Sequence, residues 1–136
     1  MTHSPDPGEV LIDREQFLTA LYLRFPLIAA KIGDIEHGLL HPEMAVVSQA
    51  TRDAIAADDW QQVAEQIEFI DQIFARDTEA ICNAVYVSYL ENVLLGETTP
   101  KFLRARTLLT PKLLQAMLEL ELESHFEKLG GSTRGA

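Results

Sequence analysis

The stretch that most constrains this chain is DTEAICNAVYVSYLENVLL, residues 77–95. Between Glu79 and Glu97 it carries one charge, Glu91. Ile81, Ala84, Val85 and Ser88 share one helical face, Cys82, Tyr86, Tyr89 and Val93 a second, and Val87, Leu90 and Leu94 a third. A helix apolar all round is a buried one. Asn83, Ser88, Glu91 and Asn92 argue against a membrane span of similar length. The reading is a central helix in a small bundle, with the other helices packed around it.

Flanking signals place those helices. Asp13 with Gln16 three residues on forms a capping-box pattern, followed by Phe17, Leu18, Leu21, Tyr22 and Phe25 at helical spacing. Pro26 breaks or kinks that run. A short helix over 27–37 then turns Leu27, Ile28, Ile32 and Ile35 inward, with Gly38 suited to its C-terminal cap. A third helix over 42–57 presents Met44, Val47, Ala50, Thr51, Ala54 and Ile55. Asp58 caps a fourth over 59–75, where Trp60, Val63, Ile67, Ile70 and Phe74 make one stripe. Asp77 caps the central helix and Gly96 ends it. Thr99-Pro100 and Thr110-Pro111 each pair a cap with a first-turn proline and open two more helices, through Leu109 and to about Leu129. Leu114, Leu118, Leu122 and Phe126 are expected to line the inner side of the last one.

No segment alternates at period two and no Asn-Gly hairpin signal occurs, so the expectation is all-α: one compact bundle of six or seven helices over 11–129. Residues 1–10 and 130–136 read as loose ends. At 136 residues one domain is expected, large enough to fold without a disulfide or metal staple. The single cysteine, Cys82, reads as a small buried hydrophobe in a reducing compartment. The polar opening MTHSPDPGEV has no signal-peptide core, which places the chain in the cytosol.

With 11 basic and 21 acidic residues the net charge is −10, which disfavours nucleic acid as a direct ligand and favours a basic protein. The asymmetry is local. Residues 34–97 hold thirteen acids against Arg52 and Arg76, whereas 98–118 hold Lys101, Arg104, Arg106 and Lys112 and no acid. A solvated acidic surface paired internally with that basic segment competes with a surface for a basic partner.

Enzyme patterns fail: no phosphate-binding glycine loop, Gly-x-Ser-x-Gly, Cys-x-x-Cys or His-Glu-x-x-His is present. His37 and His41 are four apart, but Gly38 and Pro42 interrupt a common helix, and no further metal ligands can be named. No cofactor is expected. His125, between Glu121, Glu123 and Glu127, suits surface salt pairing. Glu91 suits pairing with Arg104 or Arg106, or a solvent-facing end beside Asn92; its functional reading is a partner contact or an acid–base group. Asp58, Gln61, Glu65, Glu68 and Gln72 share the face opposite the Trp60 stripe, and Glu119, Glu123 and Glu127 form a second ridge. Like charges at this spacing cost a helix stability, so folding does not explain them; a basic partner does, and a generic solubilising surface competes with it.

The segments FPLIAAKI, HPEMAVVSQA, VAEQIEFIDQIF and ICNAVYVSYLENVLLG resemble small helical bacterial immunity proteins. These belong to polymorphic-toxin systems, including contact-dependent and type VI or Rhs-type secretion. The pairing of helix 69–74 with helix 83–94 carries most of the likeness, which covers roughly residues 15–128 and consists of core-packing patterns. The resemblance implies an antitoxin that binds a cognate toxin domain and blocks its active site, without itself catalysing a reaction. Expected contacts with the basic toxin are Asp58, Glu65, Glu68, Asp71 and Glu91, with Glu36 and Glu43 next. Tyr86, Tyr89 or Trp60 would serve as anchors where exposed. A non-enzymatic adaptor, secretion chaperone or regulatory module predicts the same acidic scaffold. An enzyme built on Glu91 with a histidine, or a metal site at His37 and His41, is the third reading.

Overall fold

The computed structural model describes residues 13–33, 38–75 and 79–128, and these form seven helices with no strand among them. They are α1 (Arg14–Arg24), α2 (Pro26–Ala29), α3 (Leu40–Ala56), α4 (Trp60–Ala75), α5, α6 (Pro100–Arg106) and α7 (Pro111–Lys128). Helix α5 is composite: an α segment Glu79–Ala84, a π-helical segment Val85–Leu90 and a last turn Glu91–Val93. The all-α bundle expected from the sequence is the observed architecture. The expected loose ends, 1–10 and 130–136, lie outside the described residues.

Local chemistry explains most helix ends. Asp13 Oδ1 accepts from Gln16 N–H and Gln16 Oε1 accepts from Asp13 N–H, both at 2.9 Å, completing the capping box of α1. Pro26 opens the single turn α2 from its first position, where a missing N–H costs nothing. That turn is much shorter than the helix expected over 27–37, and residues 34–37 lie outside the described ones. Ile28 is buried, but Leu27 and Tyr22 are 80% and 67% exposed, against expectation.

The joint between α3 and α4 differs from the sequence reading by one residue. Asp58 N–H donates to Ile55 C=O at 3.1 Å and Asp59 N–H to Ala54 C=O at 2.9 Å, the two bonds of a Schellman motif. Asp58 holds the left-handed position, φ 57°, that glycine usually fills. The cap of α4 is therefore Asp59, whose Oδ1 faces Gln62 N–H at 3.3 Å.

Helix α3 buries Met44, Val47, Ala50, Thr51, Ala54 and Ile55, and α4 buries Val63, Ile67, Ile70 and Phe74, as their stripes predict. Phe69 is buried as well, edge-on to Phe25 with ring centres 5.4 Å apart, because α1, through Phe17, and the Phe25 joint after it cover a second side of α4. Helix α3 packs along α5. The π turn brings the consecutive residues Ser88, Tyr89 and Leu90 all into the interior. There Tyr89 OH lies 2.9 Å from Thr51 Oγ1, which donates to Gln66 Oε1 at 2.7 Å, tying α3, α4 and α5 together. Burial holds the Tyr89 phenol well above its usual range, so it stays neutral. One side of α5 nevertheless faces water: Asn83, Glu91 and Asn92 are exposed, and Val87 is 43% exposed. The helix is central without being enclosed all round.

Candidate partner-binding surface

Glu43 corrects the sequence reading outright. Its side chain is fully buried, its oxygens taking Arg14 Nε at 2.8 Å, Arg14 Nη2 at 2.6 Å and Gly38 N–H at 2.8 Å. The hydrogen bond to Glu43 is the largest cause of a raised Arg14 guanidinium, with burial opposing it. A carboxylate so enclosed joins α1 to α3 and is not presented to a partner. Glu36 lies outside the described residues.

The remaining acids divide by exposure. Asp58, in the α3–α4 joint, and Glu68 are exposed and Glu65 is half-buried, the two glutamates on the side of α4 away from its core stripe. Glu68 stands 3.8 Å from Arg24, which also donates to Gln72 at 3.3 Å, so one cation from α1 reaches this face. Asp58 meets Lys101 at 3.1 Å. Asp71 is turned to a structural task, accepting from Thr110 Oγ1 at 2.7 Å while the same oxygen faces Leu113 N–H at 3.3 Å as the cap of α7. Glu91 is exposed at the last turn of α5. The arginines expected to meet it are placed elsewhere: Arg104 lies over the Trp60 ring at 4.2 Å, and Arg106 grips Glu121 with both terminal guanidinium nitrogens. That bidentate contact raises the Arg106 guanidinium.

The basic segment is consumed by the fold's own needs. Lys101 Nζ donates at 2.9 Å to Ala56 C=O at the end of α3, and Lys112 Nζ at 2.9 Å to Phe74 C=O near the end of α4. Arg52 does the same for α5, its Nη1 reaching Asn92 and Val93 carbonyls at 3.0 and 3.3 Å while contacting Glu97 and lying over Phe102. Cations at helix C-termini complement the dipole and satisfy orphan carbonyls. The carboxylates of α4, by contrast, have few of these cations beside them.

The sequence mistook the orientation of α7. Its buried residues are Leu113, Ala116, Met117 and Leu120, one helical arc. Leu118, Leu122 and Phe126, expected inside, are 46%, 57% and 56% exposed and form a row on the opposite arc. Exposed Glu119 and Glu123 run along one flank of the row. On the other flank Glu121, Ser124 and His125 line a shallow cavity of about 240 Å³ with Leu95 and Gly96. Both arcs read as apolar, so periodicity alone could not choose between them; the doublets Leu113-Leu114 and Met117-Leu118 are the signal that two faces exist.

Of the two histidines His37 lies outside the described residues, and His41 sits in a polar clasp. His41 Nδ1 lies 2.7 Å from Ser88 Oγ, and its Nε2 lies 3.5 Å from Asn83 Nδ2. The spacing is that of a base and a hydroxyl, but Ser88 is only 7% exposed and sits within the π segment. The contact ties the first turn of α3 to α5. Among the described residues no three His, Cys, Asp or Glu side chains stand close enough to hold a metal ion, and no helix is long and apolar enough to cross a membrane.

The described residues form a small all-helical protein. Residues 18–126 match the family described as Domain of unknown function (DUF7674), and the chain belongs to it. No curated protein and no solved structure matches the chain significantly.

Proposed function

We propose that this chain is an immunity protein that binds a cationic toxin domain and neutralises it by occlusion. The observation that carries the reading is the disposition of the cations: Lys101, Arg104, Arg106 and Lys112 each serve a helix end, a ring or Glu121. Of the fourth helix's outer carboxylates, Glu68 meets Arg24 only at 3.8 Å and Glu65 is half-buried, while Glu91 adds a second exposed acid from α5. With a net charge of −10, such a protein attracts a positive surface and repels nucleic acid, and complementary charge speeds association and selects the partner. Helices tied by interior bonds such as Tyr89–Thr51–Gln66 supply a rigid platform, which lowers the entropy lost on binding.

The test is coexpression with the C-terminal domain encoded by the reading frame beside this one in its native genome. Protection of the cells, and a complex surviving size-exclusion chromatography, is the expected result. Glu65→Lys with Glu68→Lys is expected to weaken binding by about tenfold or more at unchanged helicity. An unchanged titration removes α4 from the interface; no protection and no complex removes the reading.

A further inference from the structure

We infer that α5 is a register switch latched by His41: released from that imidazole, its first half, residues 79–84, shifts by one residue against the core. The inference stands apart from the immunity reading and starts from the π turn Val85–Leu90. In an α-helix residues five apart point about 140° away from each other. A π turn closes i→i+5 bonds and brings such residues onto one face. Asn83 and Ser88 are five apart, and both reach one ring: Ser88 Oγ lies 2.7 Å from His41 Nδ1, and Asn83 Nδ2 lies 3.5 Å from Nε2. A neutral imidazole offers one donor and one acceptor, so an amide N–H at one nitrogen and a hydroxyl oxygen at the other satisfy it together. In an unbroken α-helix Ala84 would share the face of Ser88, and Asn83 would turn aside. His41 therefore selects the π register.

The two halves of α5 are held differently. Beyond the π turn the contacts are directional: Tyr89 OH to Thr51 at 2.9 Å, Asn92 Nδ2 to Ser88 C=O at 3.0 Å, and Arg52 on the Asn92 and Val93 carbonyls. The half before it packs Ile81 and Ala84 into the core, and its outward Asn83 meets His41. Apolar packing is non-directional and accepts another apolar set, whereas hydrogen bonds hold one geometry. When the π turn gives its surplus residue back to an α ladder and the far half stays fixed, Cys82 takes the place of Ile81, Val85 that of Ala84, and Tyr86 that of Val85. No charged side chain enters the core in that shift. This accounts for a helix that is apolar all round although one side faces water: its first half carries two interior faces and uses one at a time. Cysteine underfills the place of isoleucine and valine overfills that of alanine, so the latched register is the major one. Tyr89 and Thr51 are enclosed, but His41 is half-buried, so the latch is the part of this device that lies within reach of the surface.

The test is amide and methyl relaxation dispersion on the full-length protein. His41→Ala removes both contacts and is expected to raise the shifted register about tenfold, up to roughly 10% of molecules. The exchange should be confined to residues 79–90 and the side chains packed on them. Deleting Val87, which is 43% exposed, removes the surplus residue. Helix α5 then closes as a plain α-helix with both halves in their present places, and the exchange should vanish, in the His41→Ala background too. Should the deletion variant not fold, Cys82→Ile supplies the second handle. It brings an isoleucine where the shifted register needs one, and is expected to raise the exchange amplitude of His41→Ala further; an unchanged or smaller amplitude counts against the switch. A His41→Ala variant without exchange, exchange spread evenly over all helices, or exchange that survives the deletion of Val87 overturns the inference.

Discussion

The buried pair Arg14–Glu43 sets the most decisive test of how this fold is held. Glu43 has no solvent exposure, while the Arg14 side chain keeps 31% of its own. The two partners should therefore fail unequally. Arg14→Met strands a carboxylate in the interior with Gly38 N–H still bonded to it, and breaking a buried pair from this side costs about 3–5 kcal/mol. Taking 3 kcal/mol as the lower end, a domain of this length loses roughly 10 °C in Tm. Glu43→Met leaves a guanidinium that can turn to water and one orphaned backbone donor, for about 1–2 kcal/mol. The double substitution removes both charges at similar volume and should cost no more than the Glu43→Met single, since buried pairs often yield to hydrophobic replacements without loss. Urea denaturation of the four proteins gives the cycle. The expected coupling is about 3 kcal/mol or more, against an additivity error near 0.5 kcal/mol for independent sites. Equal costs for the two singles, with a double that is their sum, would refute the claim that Glu43 is a structural carboxylate.

Three further outcomes follow from the geometry. Tyr89→Phe removes the hydroxyl facing Thr51 and should cost about 1–2 kcal/mol in chemical denaturation. Because burial raises the Tyr89 phenol above its unfolded value of about 10, its contribution is complete below pH 10 and lost as pH rises beyond, by up to about 1.4 kcal/mol per pH unit. The wild type should lose stability more steeply than Tyr89→Phe between pH 10 and 11.5, and parallel curves would contradict this. Asp58→Gly relieves a left-handed backbone worth about 1 kcal/mol and gives up an exposed pair with Lys101 worth at most about 0.5 kcal/mol, so Tm should hold or rise; a clear fall would sink the argument. Leu113→Ala or Met117→Ala should cost about 2–5 kcal/mol and Leu122→Ala under about 0.5 kcal/mol, and the reverse order would mean that α7 presents its other face.

Legibility in the sequence followed the locality of the cause. Capping boxes and prolines act over three or four residues, so the starts of α1, α6 and α7 could be read from Asp13, Pro100 and Pro111. The single stripes of α3 and α4 were equally plain, because their opposite faces are polar. Asp58 was misassigned by one position, since Asp58 and Asp59 are both good caps and only the backbone shows which one turns left-handed. Glu43 escaped notice for a different reason. Its partner lies 29 residues away, and nothing in the neighbouring letters separates a carboxylate that will be enclosed from one that will face water. Asp71 is the same case, with Thr110 39 residues on.

Helices α5 and α7 pose one problem and answer it differently. Each carries more apolar positions than a single 3.6-residue stripe can bury. In α5 the surplus is absorbed by geometry: the wider turn of the segment Val85–Leu90 places neighbouring residues at smaller angular steps, so Ser88, Tyr89 and Leu90 all reach the interior. Val87 stays 43% exposed. Helix α7 runs as an uninterrupted α-helix from Pro111 to Lys128, and its second arc stays at the surface. A surface row of leucine and phenylalanine earns nothing for a lone chain, since those side chains are already in water.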